Sequence, residues 1–357
     1  MALPFFDSGS RKRPDQIIAV DLGSRTTKAV HVQRRGEAFA LCRYALLDAP
    51  IFEKTLSADL LSEHLRVVGQ ALDAKTKLVA LAMGVNDAVV RHVEMPRMSV
   101  EDMRLVLKHN SRNYLQQDLP NHVFDCHVAT PREGAKPPEP VKAAAGQKQK
   151  TLVVGARKQL VDDYLEGARN AGLTTESIVP GLIGPVNSFE RAVPEVFARE
   201  VVALVDVGFK CSSICILQEG ELILSRVVGI GGDRLTTALS ESMNISYAEA
   251  EGIKVGMATE VQPTLDSILT PLGRELRASI DFFEHQQDRP VPQAYISGGS
   301  SRSDSILQTL RNELMIECKT WNPVSGLQVA LPSQQATEIE QVAPQLAVAL
   351  GAALAAL

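Results

Sequence analysis

Two aspartates stand at the ends of short apolar runs, each followed by an aliphatic residue and a glycine. The first run reads Val20-Asp21-Leu22-Gly23-Ser24-Arg25-Thr26-Thr27-Lys28 and the second Val205-Asp206-Val207-Gly208. A third run, Ile296-Ser297-Gly298-Gly299-Ser300-Ser301, ends in paired glycines. Glycine at such a turn lets backbone N–H groups approach phosphate oxygens that a Cβ would obstruct. Asp21 and Asp206 suit the water shell of Mg²⁺, an ion that dehydrates reluctantly and takes carboxylates together with substrate phosphates. Two Asp-x-Gly turns far apart in sequence predict two facing hairpins that clamp one polyphosphate. The candidate ligand-binding residues are Gly23, Ser24, Arg25, Thr26, Thr27 and Lys28 in the first turn, and Gly208 and Lys210 in the second. If a water is activated, Asp206 is the first choice as its base.

Other chemistries are excluded. No Gly-x₄-Gly-Lys-Ser/Thr loop occurs, and the cluster Gly229-Ile230-Gly231-Gly232 lacks the third glycine of a dinucleotide fingerprint. The seven histidines form no HExxH motif, and the five cysteines (Cys42, Cys126, Cys211, Cys215, Cys318) show no metal-ligand spacing. They read as free thiols of a reducing compartment, with Cys211 and Cys215 facing one side of a strand as core positions. A net charge of −5 gives no support for nucleic-acid binding. No apolar run reaches the length of a membrane span, the most apolar stretch being Val342 to Leu357, and the N-terminus lacks a signal-peptide core.

The elements that must hold these turns follow from periodicity and breakers. Residues 1–14 read as a flexible leader, Gln16–Val20 as a strand and Lys28–Val32 as its hairpin partner. Ala58–Leu72 places Leu61, Leu65, Val68 and Leu72 at helical spacing. Strands are expected at 77–85, 89–93 and 122–128, with Ser99 capping a helix that runs to about Leu115. Pro131 to Lys150 has almost no large apolar side chain and is expected to be a disordered loop. A strand at 151–155 and an amphipathic helix at 159–171 complete what reads as a compact α/β insert over 86–176.

From Val201 the opening pattern returns: strand, Asp-x-Gly turn, strand, short turn, strand. Gly231 and Gly232 then open a helix with Leu235, Leu239 and Met243 on one face, and both join the candidate ligand-binding residues. A long helix over 264–286, a strand over 293–297, a helix over 303–314 and a closing Ala/Leu-rich helix follow. The expected division is 15–85 and 177–357 for the two parts of a duplicated α/β frame, with 86–176 inserted and a ligand in the cleft.

These turns resemble the phosphate and adenosine motifs of the actin-like ATPase superfamily. Asp21 to Lys28 looks like its first phosphate motif, Asp206 to Ser213 its second, and Ile296 to Ser301, with Gly298, Gly299 and Ser300, its adenosine motif. Ala248 to Lys254 resembles the helix whose Glu and Lys, here Glu251 and Lys254, flank the purine and ribose. Ala347 to Ala353 resembles a connecting helix of small residues between the two halves. Within the superfamily the inserted block is similar to that of the PilM family of type IV pilus assembly proteins, over nearly the whole chain after residue 15. Val93 to Ser99, Val123-Phe124-Asp125, Ala171-Gly172-Leu173 and Trp321-Asn322-Pro323 carry that resemblance. The turns depart from the superfamily pattern at Arg25 and at Phe209-Lys210-Cys211. Lys210 is either an added phosphate contact or a solvated charge, and Arg25 either tightens phosphate binding or covers the rim.

The resemblance implies a bilobed, ribonuclease H-like α/β frame that binds ATP or ADP with Mg²⁺. It implies a cytoplasmic scaffold of a type IV pilus or related type II secretion platform, associated with the inner membrane only through partners. The partner implied is the N-terminal cytoplasmic peptide of a PilN-like membrane protein, with the assembly and retraction ATPases as further candidates. Met95, Met98 and Met103 either line that peptide's groove or fill the insert's core. Two alternatives stand beside this: a catalytically active ATPase or phosphotransferase of the superfamily, and an FtsA-like filament protein of cell division.

Overall fold

The computed structural model describes residues 13–52, 55–128, 148–256, 260–301 and 303–357. The expected leader lies almost wholly outside them, as does the expected loop up to residue 147.

The chain opens with β1 (Gln16–Asp21), β2 (Thr26–Arg35), β3 (Ala38–Asp48), α1 (Ala58–Leu72) and β4 (Leu78–Met83). It continues with β5 (Ala88–Pro96), α2 (Val100–Leu115), β6 (His122–Val128), β7 (Lys148–Arg157), α3 (Lys158–Asn170) and β8 (Thr174–Pro180). Two helices, α4 (Gly184–Ala192) and α5 (Pro194–Arg199), lead to β9 (Val201–Val207), β10 (Ser212–Gln218) and β11 (Glu221–Val228). Then come α6 (Gly232–Met243), α7 (Tyr247–Gly256), α8 (Gln262–Gln287), β12 (Gln293–Ser297), α9 (Asp304–Leu314) and β13 (Glu317–Thr320). The short β14 (Gln328–Val329), α10 (Ser333–Val342) and α11 (Ala347–Ala356) close the chain.

The duplication is visible in the strand order. The first sheet runs β14-β3-β2-β1-β4-β8 and the second β11-β10-β9-β12-β13. With β14 set aside, both follow one rule: three antiparallel strands in meander, then two more parallel to the first. The central strands β1 and β9 are therefore equivalent, and so are the aspartates near their C-terminal ends. Both strands are almost wholly buried, as near-continuous apolar runs with layers on both faces must be.

The third sheet, β5-β7-β6, is the inserted unit, with α2 laid on it. Ser99 caps α2 as expected, its Oγ accepting from Asp102 N at 3.1 Å. The expected boundaries of the insert need correction. Helix α3 packs against α1, and β8 pairs with β4 in the first sheet, so residues 158–176 join the frame rather than the inserted sheet. Lys148–Lys150, expected to end a loop, open β7 and pair with β5. Met95 and Met103 are fully buried beside Leu107, Phe124 and Val153, so these two methionines fill the insert's core.

Three further expectations change. Met243, expected on one face of α6 with Leu235 and Leu239, is substantially exposed while those two are buried. Cys211 lies in the turn before β10, apart from the buried Cys215. The helical stretch Ser333–Ala356 is long and apolar enough to cross a membrane, yet most of its apolar part is buried within the protein. Its apolar surface is satisfied by the core: α11 lies against β1, β4 and α4.

Candidate functional site

The two sheets present their Asp-x-Gly turns to one cleft of about 780 Å³. On its floor Asp21 ends β1, and Lys28 lies directly opposite it in the β1–β2 register. Lys28 Nζ donates to Asp21 Oδ2 at 3.1 Å, with both side chains largely buried. Burial opposes the Lys28 charge, but adjacent Asp21 and more distant Asp206 outweigh it and hold its pKa above the usual lysine value. Asp206 is one residue short of the end of β9, and Ser297 on neighbouring β12 donates its hydroxyl to Asp206 Oδ1 at 2.9 Å. Burial pushes the Asp206 carboxyl up, Ser297 and Lys28 pull it down, and Asp21 adds to the rise.

The turns depend on glycine for specific steric reasons. A Cβ on Gly23 would stand 2.5 Å from Thr26 O and 2.6 Å from Lys28 Nζ. Gly298 has φ +95°, and a Cβ there would meet Val207 O at 2.5 Å, so this glycine joins the third turn to the backbone of the second. Gly299 differs: a Cβ there would meet only Gln345 Oε1, at 3.8 Å. Its missing side chain is not required by the fold, and it lines the cleft.

Helix α7 supplies the third wall. Lys254 Nζ donates to Glu251 Oε2 at 2.7 Å, to Thr236 Oγ1 at 2.8 Å and to Gly232 O at 3.2 Å. Thr236 Oγ1 in turn donates to Glu251 Oε2 at 2.5 Å. Burial raises the Glu251 pKa, but the Lys254 and Thr236 hydrogen bonds outweigh it and hold the carboxyl below its ordinary value. At the mouth, Arg25 of the first turn reaches the second half: its guanidinium stands 5.2 Å from the centre of the Phe209 ring and 3.9 Å from Glu251 Oε2. Lys210 lines the cleft and donates to Asp233 Oδ2 at 2.8 Å, so it is paired rather than free in solvent.

The fold brings together Asp21, Gly23 to Lys28, Asp206, Gly208, Lys210, Gly232, Glu251, Lys254 and Gly298 to Ser300 around this one cleft. Gly231 is the exception. It lies behind the second turn, where a Cβ would overlap Phe209 O, and does not line the cleft. Sequence reasoning missed Asn86, Asp87, Arg157 and Tyr164, which line the side nearest the insert. A signal existed for the first two: Met83-Gly84-Val85-Asn86-Asp87 is another strand followed by glycine and an acid. Asp87 stands 3.9 Å from Arg157, and burial raises its carboxyl pKa despite that cation and a hydrogen bond from the Gly84 backbone. Burial likewise pushes the Tyr164 phenol up, and Asp87 and Asp21 add to it.

Among the described residues no group of three or more His, Cys, Asp or Glu is arranged to hold a metal ion. The two floor carboxylates fit a weaker mode, in which Mg²⁺ keeps its waters and is held chiefly by the phosphates it accompanies. Bound there, the ion would neutralise phosphate charge, and Asp21 and Asp206 would accept hydrogen bonds from its waters. Backbone N–H groups at the turns, the Lys28 ammonium and the bare Gly299 suit a phosphate chain with a flat nucleoside at one end.

The solved structure titled PilM-PilN type IV pilus biogenesis complex shares this fold at a TM-score of 0.82. It is 22% identical, covering 97% of this chain and 99% of that one. MreB 5 of Spiroplasma citri, solved bound to AMPPNP, aligns at a TM-score of 0.51 and 10% identity over 96% of this chain and 95% of its own. These likenesses establish an actin-like ATPase fold. In sequence, cell division protein FtsA of Bacillus subtilis (strain 168) is 22% identical over 340 residues, which is 88% of this chain and 74% of FtsA. The family described as Type IV pilus assembly protein PilM matches residues 19–357. A match of that extent, on a duplicated frame with its insert between β4 and β8, decides the affiliation: the chain belongs to the PilM family of type IV pilus assembly proteins.

Proposed function

We propose that this chain binds ATP or ADP with Mg²⁺ in the cleft and serves as a scaffold of the inner-membrane platform of a type IV pilus or related type II secretion machine. The observation that carries the nucleotide reading is the convergence of three glycine turns, from two equivalent sheets, on one cleft with a lysine and two aspartates at its floor. MreB 5, with the same fold, holds AMPPNP in its solved structure, which supports a nucleotide here. The partner in this reading is the N-terminal cytoplasmic peptide of a PilN-like membrane protein, docked where the inserted sheet meets the first half. The PilM-PilN complex supports that choice. Such a peptide can add its backbone to a sheet edge while side chains settle in a groove. The protein then sits on the cytoplasmic side and reaches the membrane through its partner.

In this role the nucleotide acts by stabilising closure of the two halves, in proportion to its preference for the closed state. Hydrolysis is not needed for it. If a water is activated, Asp206 on the cleft floor is the first choice as its base.

Calorimetry with ATP and Mg²⁺ tests the reading directly. Saturable one-to-one binding that is lost in Asp21→Ala is expected. No binding by the wild-type protein at millimolar ATP would overturn it.

A further inference from the structure

We propose that Arg25 makes the cleft selective for a nucleoside triphosphate over the diphosphate, by exchanging Glu251 for the terminal phosphate when the ligand binds. This rests on the reading of the cleft as a nucleotide site.

The cleft is lined by several cations, and most are already engaged. Lys28 is 3.1 Å from Asp21, Lys210 is 2.8 Å from Asp233, and Lys254 is 2.7 Å from Glu251. Each of these is within hydrogen-bond distance of its carboxylate. Arg25 is held differently, as is Arg157, which stands 3.9 Å from Asp87 on the side nearest the insert and away from the two turns. The 3.9 Å approach of Arg25 to Glu251 lies outside hydrogen-bond range, and Glu251 already accepts from Lys254 and Thr236. Removing Arg25 from Glu251 therefore leaves that carboxylate with its closer partners intact.

What fixes Arg25 is the ring of Phe209 on the opposite half. A guanidinium offers its flat face to a ring and its N–H donors in the plane to an anion, so the two contacts do not compete. Placed over Phe209, Arg25 keeps its in-plane donors for a bidentate partner such as two oxygens of a phosphate. Lysine in its place would lack both the face and the fork.

The charge on the floor explains why a further cation is needed. Asp21 and Asp206 bring two carboxylates and Lys28 one ammonium, so the floor's own side chains supply no net positive charge, and the accompanying Mg²⁺ is shared among all the phosphates. A triphosphate carries more negative charge than a diphosphate. Arg25 spans the tips of both Asp-x-Gly turns, and once released from Glu251 on the α7 wall it can turn to the phosphate chain those turns would clamp and supply a matching charge there. It is thus the side chain whose gain from ligand binding grows with the last phosphate. Arg25 and Phe209 are also two of the residues at which the turns depart from the superfamily pattern, and here they meet across the cleft.

The test is calorimetry with ATP and with ADP, both with Mg²⁺, on the wild-type protein, Arg25→Ala, Arg25→Lys and Phe209→Leu. Loss of one charge-assisted hydrogen bond predicts that Arg25→Ala weakens ATP binding about tenfold or more. ADP affinity should stay within about threefold, well under the change for ATP. Arg25→Lys should recover only part of the ATP affinity, and Phe209→Leu should show a smaller loss with the same preference for ATP. Equal weakening of both nucleotides, or no change in either, would overturn the role of Arg25 while leaving the cleft reading in place. Failure of the wild-type protein to bind either nucleotide would remove both. Arg25 is half-exposed in a turn, so melting curves should confirm that all variants remain folded.

Discussion

Gly351 of α11 lies against Gly184 of α4 with no room for a side chain between them. A Cβ on Gly351 would overlap the Gly184 carbonyl, and one on Gly184 would come within 2.6 Å of Val348 Cα. Ser188 Oγ secures the crossing by donating to Ala347 O at 2.9 Å. Helix α4 follows the last strand of the first sheet, and α11 covers β1 and β4, so this contact fixes the segment that joins the two halves.

Gly351→Val should therefore destabilise the protein by about 1–3 kcal/mol or more, as overpacking of a close core contact does. Chemical denaturation at neutral pH would measure it. Because neither glycine itself lines the cleft, although Val348 beside them does, nucleotide affinity of the folded fraction should change less than stability. A variant as stable as wild type would mean that the helices separate freely and that the crossing does not set the frame.

The two glycines of the third turn should separate stability from binding. Gly298→Val meets both a positive φ and the Val207 backbone, so its main effect should be loss of folding. Gly299→Val adds a side chain towards the cleft with no backbone in its way. It should keep a melting temperature within about 3 °C of wild type, the shift that roughly 2 kcal/mol makes in a chain of this size. ATP affinity should nevertheless drop at least tenfold. Unchanged affinity in a folded Gly299→Val would exclude this turn from the ligand site.

The contrast between those glycines shows what sequence could and could not supply. The Asp-x-Gly and Gly-Gly turns were legible because glycine and aspartate punctuate buried strands for backbone reasons that act locally. Strand β3 was missed: its Ala- and Leu-rich run has helical propensity, and pairing with β2 along its length makes it a strand. Helix α4 was hidden by Gly184-Pro185, which reads as a breaker. Proline is tolerated in a helix's first turn, and the glycine is demanded by α11, far away in sequence. Asp87 and Arg157 escaped for the same reason, since they meet only where β5 leaves the frame and β7 returns to it.

Asp87 carries a pH prediction. Burial raises its folded pKa above the ordinary carboxyl value of 3.8. The folded state then holds that proton more tightly than the unfolded chain does. Its contribution to stability is complete below about pH 4 and is lost as pH rises through the raised value. Asp87→Asn keeps the shape without the charge, so its melting temperature should rise relative to wild type between about pH 4 and pH 7. The gain should be small, about 1–2 °C, because the side chain is 37% exposed and paired with Arg157. A variant that loses ground as pH rises would show that the Arg157 pair outweighs burial.

The inserted sheet can be removed cleanly, and doing so tests the peptide site. Ala88 and Ala156 face each other in the β5–β7 register, so the chain leaves and re-enters the frame at adjacent points. A Gly-Gly link from Asp87 to Arg157 would close that gap as a tight hairpin turn does. Helix α3 and β8 must stay, because they complete the α1 layer and the first sheet. Met95 and Met103 are buried inside the excised unit, so that core leaves with it. The deletion does uncover part of the frame, because β5 lies against β11 and Val90, Leu152 and Val154 of the insert belong to the frame's core cluster, so some loss of stability is expected. The N-terminal peptide of the PilN-like partner, fluorescently labelled, should bind the full chain and fail to bind the deletion, while ATP affinity stays within about tenfold. Retained peptide binding by the deleted protein would place the partner's site on the frame and refute the groove.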